Sequence, residues 1–390
     1  MKSLKVLDVT LRDGGCVNDF NFGQTYMEKI LAAQEASGVD VIEMGYLDEQ
    51  KGSECGRTQY INEKVIPKCL MKQKKPGVTY VAMMDYGKFN VDHLEQRTSN
   101  GIDGIRLAFH KKNRNDVVAL GKKIMDKGYQ FYIQPMITLR YSDAELLELI
   151  DMVNKELPDA SGFYIVDSFG EMRPNDMNRI LNLVDHNLNP AMTLGFHSHN
   201  NLQMSYSNAV ALLQFPTNRN IMLDSSIMGM GKGAGNLNTE LIVHYLNQKQ
   251  MKNYEFDYLL DAIDEYIYSI KQLNPWGYSI PAFMAGIYKA HPNNVIYLTD
   301  KFRIATKDIR KILSMIEEDK RQRYDYDNIQ AIYKNYFASP VKDNDVISML
   351  QKEFLGKTIL VIAPGQSVLT CKEQIKKYIC IHAEDKLDLD

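Results

Sequence analysis

The chain is short of several things, and each shortage closes off a class of function. In its 390 residues no apolar run approaches the roughly 20 residues of a membrane-spanning helix. Neither sign of charge dominates: the formal net charge is −3, which supplies no whole-chain attraction for nucleic acid or an anionic membrane. There are 5 cysteines (Cys16, Cys55, Cys69, Cys371 and Cys380), none in a CxxC pair, and the odd count argues against a disulfide framework. The opening MKSLKVLDVTLRDGG enters a strand without the apolar core of a signal peptide, so the expected location is cytoplasmic. Hydrophobic residues make up 45% and charged residues 24%, ordinary values for a globular chain long enough to bury a large core.

What is present is a rhythm. Apolar runs recur as KVLDVT (5–10), DVIEMGY (40–46), VTYVAMM (78–84), DGIRLAF (103–109), YQFYIQPM (129–136), GFYIVD (162–167), TLGFHSH (193–199) and NIMLDSS (220–226). Between them lie stretches of helical period such as YMEKILAAQEASG (26–38), DVVALGKKIMDKG (116–128) and DAELLELIDMVNKEL (143–157). Near-continuous apolar strands alternating with helices indicate a parallel sheet covered on its outer face. Eight such units predict an α/β fold of the (β/α)8, or TIM-barrel, type.

In that fold the carboxyl ends of the strands carry the active site. Those ends hold Arg12 and Asp13, Glu43, Asp85, Arg106, His110, Gln134, Asp167, Ser168, His197, His199 and Asp224, a ring of polar groups around one mouth. Glu43, Arg106, Asp167 and Ser168 are assigned to substrate binding. VTLRDGG (9–15) raises a question of its own: a surface turn needs at most one of its charges, and two glycines let a backbone pass close to something.

GFHSHNN is the sharpest signal. His197 and His199 are two apart, so in a strand both rings project from one face. A lone histidine is usually a satisfied core residue, but two on one lumenal face opposite Asp13 point to a metal. Imidazole nitrogens with one carboxylate suit Mn²⁺ or Mg²⁺ and leave positions open for substrate. The segment MGMGKGAGNLNTE (228–240) admits two readings, a phosphate cradle or a loop that places Asn236 near the metal; it is not a Walker A sequence, because no GK[ST] occurs.

Taken together, TLRDGG, HSHNN and GxGxGAGN, in that order over residues 4–250, resemble the DRE-TIM metallolyases, a family that includes 4-hydroxy-2-oxovalerate aldolase and HMG-CoA lyase. The resemblance implies that Asp13, His197 and His199 bind a divalent metal, with Asn236 at or beside it, and that Arg12 contacts the oxygen of an enolate. It implies a carbon–carbon lyase acting on a 4-hydroxy-2-oxo acid through a pyruvate-type enolate, with a 2-oxo acid and an aldehyde as its small-molecule partners. Where the hydroxy-oxo-acid aldolases carry a catalytic histidine, this chain has Cys16, so the base is open. The segment WGYSIPAFMAGIYKAHP (276–292) resembles the extension that brings a tyrosine over the site; Tyr288 matches best, with Tyr278 and His291 beside it. The alternatives are an acyl-CoA condensing enzyme or HMG-CoA-type lyase, and a catalytically weakened barrel with a binding role.

The expected organisation is a barrel over residues 1–250, a helical extension over its mouth at 251–345, and a βα segment at 346–390. In that last segment KTILVIAPGQSVLTCKEQIKKYI reads as a strand, a turn and a helix, the opening of an α/β domain. The charge run DKRQRYDYDN (319–328) reads as a solvated helix end. Assembly is left open, and a homodimer is compatible with it.

Overall fold

The eight apolar runs become eight parallel strands. In a computed structural model that describes residues 3–51, 54–70, 74–302, 304–321, 323–338, 343–362 and 379–382, they are β1 (Leu4–Asp8), β2 (Val41–Leu47), β4 (Thr79–Asp85), β5 (Gly104–Phe109), β6 (Gln130–Pro135), β7 (Gly162–Asp167), β8 (Thr193–Ser198) and β9 (Ile221–Ser225). A two-residue strand, β3 (Gln59–Tyr60), adds to the end of β2. Leu7 of β1 pairs with Val41 on one side and with Asp224 on the other, so the sheet closes on itself. The fold is a (β/α)8 barrel.

Strand alternation then sorts the side chains. Leu7, Val9, Val41, Val81, Tyr132, Tyr164, Val166 and Met222 form one buried cluster inside the barrel. The other face of each strand packs on the surrounding helices in a larger cluster that includes Val6, Ile42, Ile105, Ile133 and Ile165. This filled interior is why the strand ends, not the lumen, hold the usable space. The helices Gln24–Ser37, Val117–Asp126 and Asp143–Glu156 lie within two residues of their expected bounds, the last closed by a capping box from Ser142 and Glu145.

Several features depart from the sequence reading. The helical stretch Asp257–Ala262, Ile263–Ile267 and Tyr268–Leu273, whose middle turn is π, packs beside the first helix, where Tyr26 and Tyr266 meet at 5.2 Å. It therefore packs on the outside of the barrel beside the first helix, and its π turn also meets Ile227–Gly229 after the last strand. Cys55 and Cys69 are joined as a disulfide, with Cα atoms 5.2 Å apart, against the expectation of unpaired cysteines. The pairing arises because the loop after β2 folds back onto the short helix Val65–Cys69, a contact that cysteine spacing did not reveal.

The chain divides into two compact units, residues 1–329 and 330–390. The second holds the helix Asn344–Phe354 and a parallel pair, β10 (Ile359–Ile362) and β11 (Ile379–His382). The second of these strands was not read from the sequence, and the expected PG turn and helix between them lie outside the described residues. Among the described residues no helix is long and apolar enough to cross a membrane.

Candidate metal and active site

The question raised by TLRDGG is answered by hydrogen bonding. β1 stops at Asp8, and the amides of Arg12 and Asp13 both turn back onto the Val9 carbonyl, at 3.0 and 2.8 Å. That tight return holds both charged side chains over the barrel. Neither Gly14 nor Gly15 has positive φ; both serve close approach. A Cβ on Gly14 would stand 3.0 Å from the Met230 side chain, and one on Gly15 would stand 2.5 Å from the Phe20 ring.

Arg12 is not part of a surface turn. Its Nε donates to Glu43 and its Nη1 to Asp13, each at 2.6 Å, while its buried Nη2 has no hydrogen-bond partner. Glu43 also faces Arg106 at 2.8 Å, Arg106 is paired with Asp224, and Asp224 accepts from His197 Nδ1 at 3.0 Å. Charges of alternating sign thus run from Asp13 to Asp224 beneath the mouth, and His197 is hydrogen-bonded at the end of the row. Burial opposes ionisation of Asp224, but Arg106 and His197 hold its carboxyl below the usual range. Isolated charges at this depth would be prohibitive; paired in sequence they become a rigid base. Glu43 and Arg106, assigned to substrate from the sequence, are both fully buried in this network, and neither lines the cavity above it. Their place is underneath, where they orient Arg12 and His197.

On that base three ligand atoms converge. One from each of Asp13, His197 and His199 lie within 4.8 Å of one another. With His197 Nδ1 committed to Asp224, its Nε2 is the ligand atom that remains, the carboxylate–histidine pattern that orients metal-binding imidazoles. Burial lowers the His199 pKa to about 4, so it is neutral at physiological pH, as a ligand must be. Burial works against the Asp13 carboxylate, yet Arg12 and both histidines keep it well below the usual range. Asn236 donates to Asp13 at 2.7 Å and leaves its buried Oδ1 without a partner. An oxygen, two imidazoles and an orphaned amide oxygen fit a hard divalent ion.

The glycine loop takes the second of its two readings. It lies against Asp13, with Asn200 N donating to Gly235 O at 2.8 Å. A Cβ at Gly231 would stand 2.5 Å from Asn236 Nδ2 and 3.0 Å from Asp13 Oδ2. Glycine is required there so that Asn236 can reach the triad.

At the His199 corner of the triad opens a cavity of about 340 Å³. His199, Ser168, Asp85 and His110 are on its wall, as are Lys232 and Asn201, which the sequence reading passed over. Lys232 lies in GMGKG, where nothing local distinguishes a cavity lysine from an exposed loop cation. Asp167 is not on the wall: it is buried, accepts from the amides of Glu171 and Met172 at 3.0 Å each, and burial raises it to about 7. Tyr288 is the residue after the helix Ile280–Ile287, half-buried, and does not line the cavity; His291 and Tyr324 do. Tyr278 is exposed. Cys16 is exposed as a residue, but enclosure of its thiol and the nearby Asp13 carboxylate push it up to about 12. A thiol raised in this way is a poor source of thiolate.

The HMGL-like family profile matches residues 3–265 of the chain. The chain belongs to the HMGL-like family. It is a lyase. The HMGL-like chain is 32% identical over 251 residues to 4-hydroxy-2-oxovalerate aldolase 2 of Comamonas testosteroni, covering 62% of this chain and 68% of that one. Among solved structures it is similar to the N-terminal domain of a candidate aldolase from Bacteroides vulgatus, at 25% identity and TM-score 0.63, over 77% of this chain and 98% of that one. Its fold is also that of hydroxymethylglutaryl-CoA lyase from Pseudomonas aeruginosa, at 16% identity and TM-score 0.56, over 74% and 98% of the two chains.

Proposed function

We propose that this lyase is a divalent-metal-dependent aldolase that cleaves or forms a 4-hydroxy-2-oxo acid through a pyruvate-type enolate, with Mn²⁺ or Mg²⁺ as its ion. The observation that carries the reading is the Asp13–His197–His199 triad, with the buried, unpartnered Nη2 of Arg12 beside its Asp13 and a cavity opening at its His199. A bound divalent ion supplies Lewis acidity toward the 2-oxo and carboxylate oxygens of the substrate. Arg12 Nη2 donates to the oxygen on which negative charge grows as the carbon–carbon bond breaks, a donor already oriented by Glu43 and Asp13. Lys232 brings a positive charge to the cavity wall for the substrate carboxylate.

Proton transfer at the 4-hydroxyl falls to an imidazole, not to Cys16 or Tyr288. His291 Nδ1 accepts from Asn293 N at 3.2 Å, which leaves its proton on Nε2 and makes it a donor to substrate oxygen. His110, on the cavity wall with Asp85 and with its pKa lowered by partial desolvation, is the base.

Exchange of the pyruvate methyl protons in D₂O, followed by proton NMR with Mg²⁺, tests the reading without any aldehyde. Exchange stops after EDTA treatment and returns with the ion, and His197→Ala and Asp13→Asn lose both exchange and bound metal measured by mass spectrometry. Undiminished exchange in EDTA, or full metal occupancy in both variants, refutes it.

A further inference from the structure

A second cavity, of about 490 Å³, adjoins the first. The two share His110, Met136 and Ile137, so they lie side by side across these three residues. The second cavity is walled by Lys111, Lys112, Arg140 and Arg323, and no carboxylate lines it. Two of these cations are already answered: Lys111 pairs with Glu145 at 3.0 Å and Arg140 with Glu171 at 2.5 Å. Lys112 and Arg323 form no ion pair with any described side chain. Two uncompensated positive charges therefore face one space beside the reaction site.

We propose that this cavity is a subsite for a phosphoryl group on the aldehyde fragment, so that the substrate is a phosphorylated 4-hydroxy-2-oxo acid. The inference rests on the aldolase reading and adds the substrate class. A phosphate monoester carries about −1.5 to −2 charges at neutral pH, which matches the uncompensated pair, and its three oxygens accept from a guanidinium and an ammonium together. An aldehyde whose carbonyl reacts beside His199 would carry its phosphate past the shared wall to the cations. In the synthetic direction C3 of pyruvate bonds to the aldehyde carbon. The proton lost from C3 balances the one gained by the new hydroxyl, so no redox partner is involved. Phosphates of an acyl-CoA share the chemistry and are the competing source.

The test uses the full chain and two independent readouts. In the first, inorganic phosphate is titrated into the EDTA-treated protein by calorimetry, and Lys112→Gln/Arg323→Gln weakens binding at least tenfold while Trp276 fluorescence stays native. In the second, glyceraldehyde 3-phosphate and unphosphorylated glyceraldehyde are compared as acceptors with pyruvate. The phosphorylated acceptor has a kcat/KM at least tenfold higher, the double variant erases that preference, and pyruvate proton exchange changes less than twofold. Equal use of both acceptors with intact exchange overturns the proposal, as does a double variant that binds phosphate normally. Coenzyme A binding a hundredfold more tightly than phosphate, and losing that advantage in the double variant, overturns the aldehyde assignment in favour of an acyl-CoA. Absent pyruvate exchange with phosphate binding intact sinks the aldolase reading and leaves the anion site standing.

Discussion

Replacing Arg12 by lysine keeps one positive charge and removes a fork of three donors. In the native site Nε holds Glu43 and Nη1 holds Asp13, at 2.6 Å each, and Nη2 is left to the reacting oxygen. One ammonium cannot occupy all three places. It retains one carboxylate and gives up a charge-assisted hydrogen bond to the other, at a cost of about 1.5–3 kcal/mol in stability. The charge itself stays buried among Glu43 and Asp13, so the cost remains below the roughly 3–5 kcal/mol of deleting a partner from a buried ion pair. The rate suffers more: losing the oriented donor removes about 3 kcal/mol of transition-state stabilisation, or about 100-fold or more in kcat. Pyruvate proton exchange reads the rate. Fluorescence of Trp276, the single tryptophan, whose indole donates to Met228 O at 3.0 Å on the glycine loop, reads the local fold. A variant with native fluorescence and a rate within about threefold of wild type would show that Arg12 only supports the network, contrary to the oxyanion role argued here.

Arg106→Met removes the cation between Glu43 and Asp224, leaving Glu43 only Arg12 and Asp224 only His197, and lowers stability by about 3–5 kcal/mol in urea unfolding followed at Trp276; a loss under about 1 kcal/mol would mean those remaining partners suffice. Among proton-transfer candidates, His110→Gln lowers kcat about 100-fold, whereas Cys16→Ser and Tyr288→Phe each keep at least about a tenth of it; steady-state rates over pH 6–9 decide, and the reverse pattern would restore the thiol or the tyrosine as base. Asp167 titrates near 7 in the folded chain because of burial and near the ordinary carboxylate value when unfolded, so the folded state binds its proton more tightly. Its stabilising contribution is full below about pH 4 and is lost as pH rises toward 7. Asp167→Asn removes that slope from the stability profile, and an unchanged slope would place the titration elsewhere.

Most of the barrel was legible from one dimension because its signals are local. A strand end, a period of two and a helix period each depend on neighbours along the chain, so the eight barrel strands and the cluster of Asp13, His197 and His199 could be located by reading. His197 and His199 share a face because the strand makes them do so, whatever surrounds it. Asn236 was placed by family likeness, and the crowding at Gly231 supplies the physical cause. The residues that escaped reading are those whose role depends on closure. Glu43, Arg106 and Asp224 come from three strands separated by 63 and 118 positions, and nothing in their local sequence says that they neutralise one another instead of meeting substrate. The 14-residue link between Cys55 and Cys69 exists only because a loop returns to a short helix. Past the barrel, the helix Ile280–Ile287 ends one residue before Tyr288, and the turn that follows presents His291 to the cavity in its stead. Arg323 and Tyr324 sit in a charge run that reads as solvated surface, yet the chain's return over the mouth brings both to a cavity wall. Periodicity tells which face of an element is apolar, and only packing tells what that element faces.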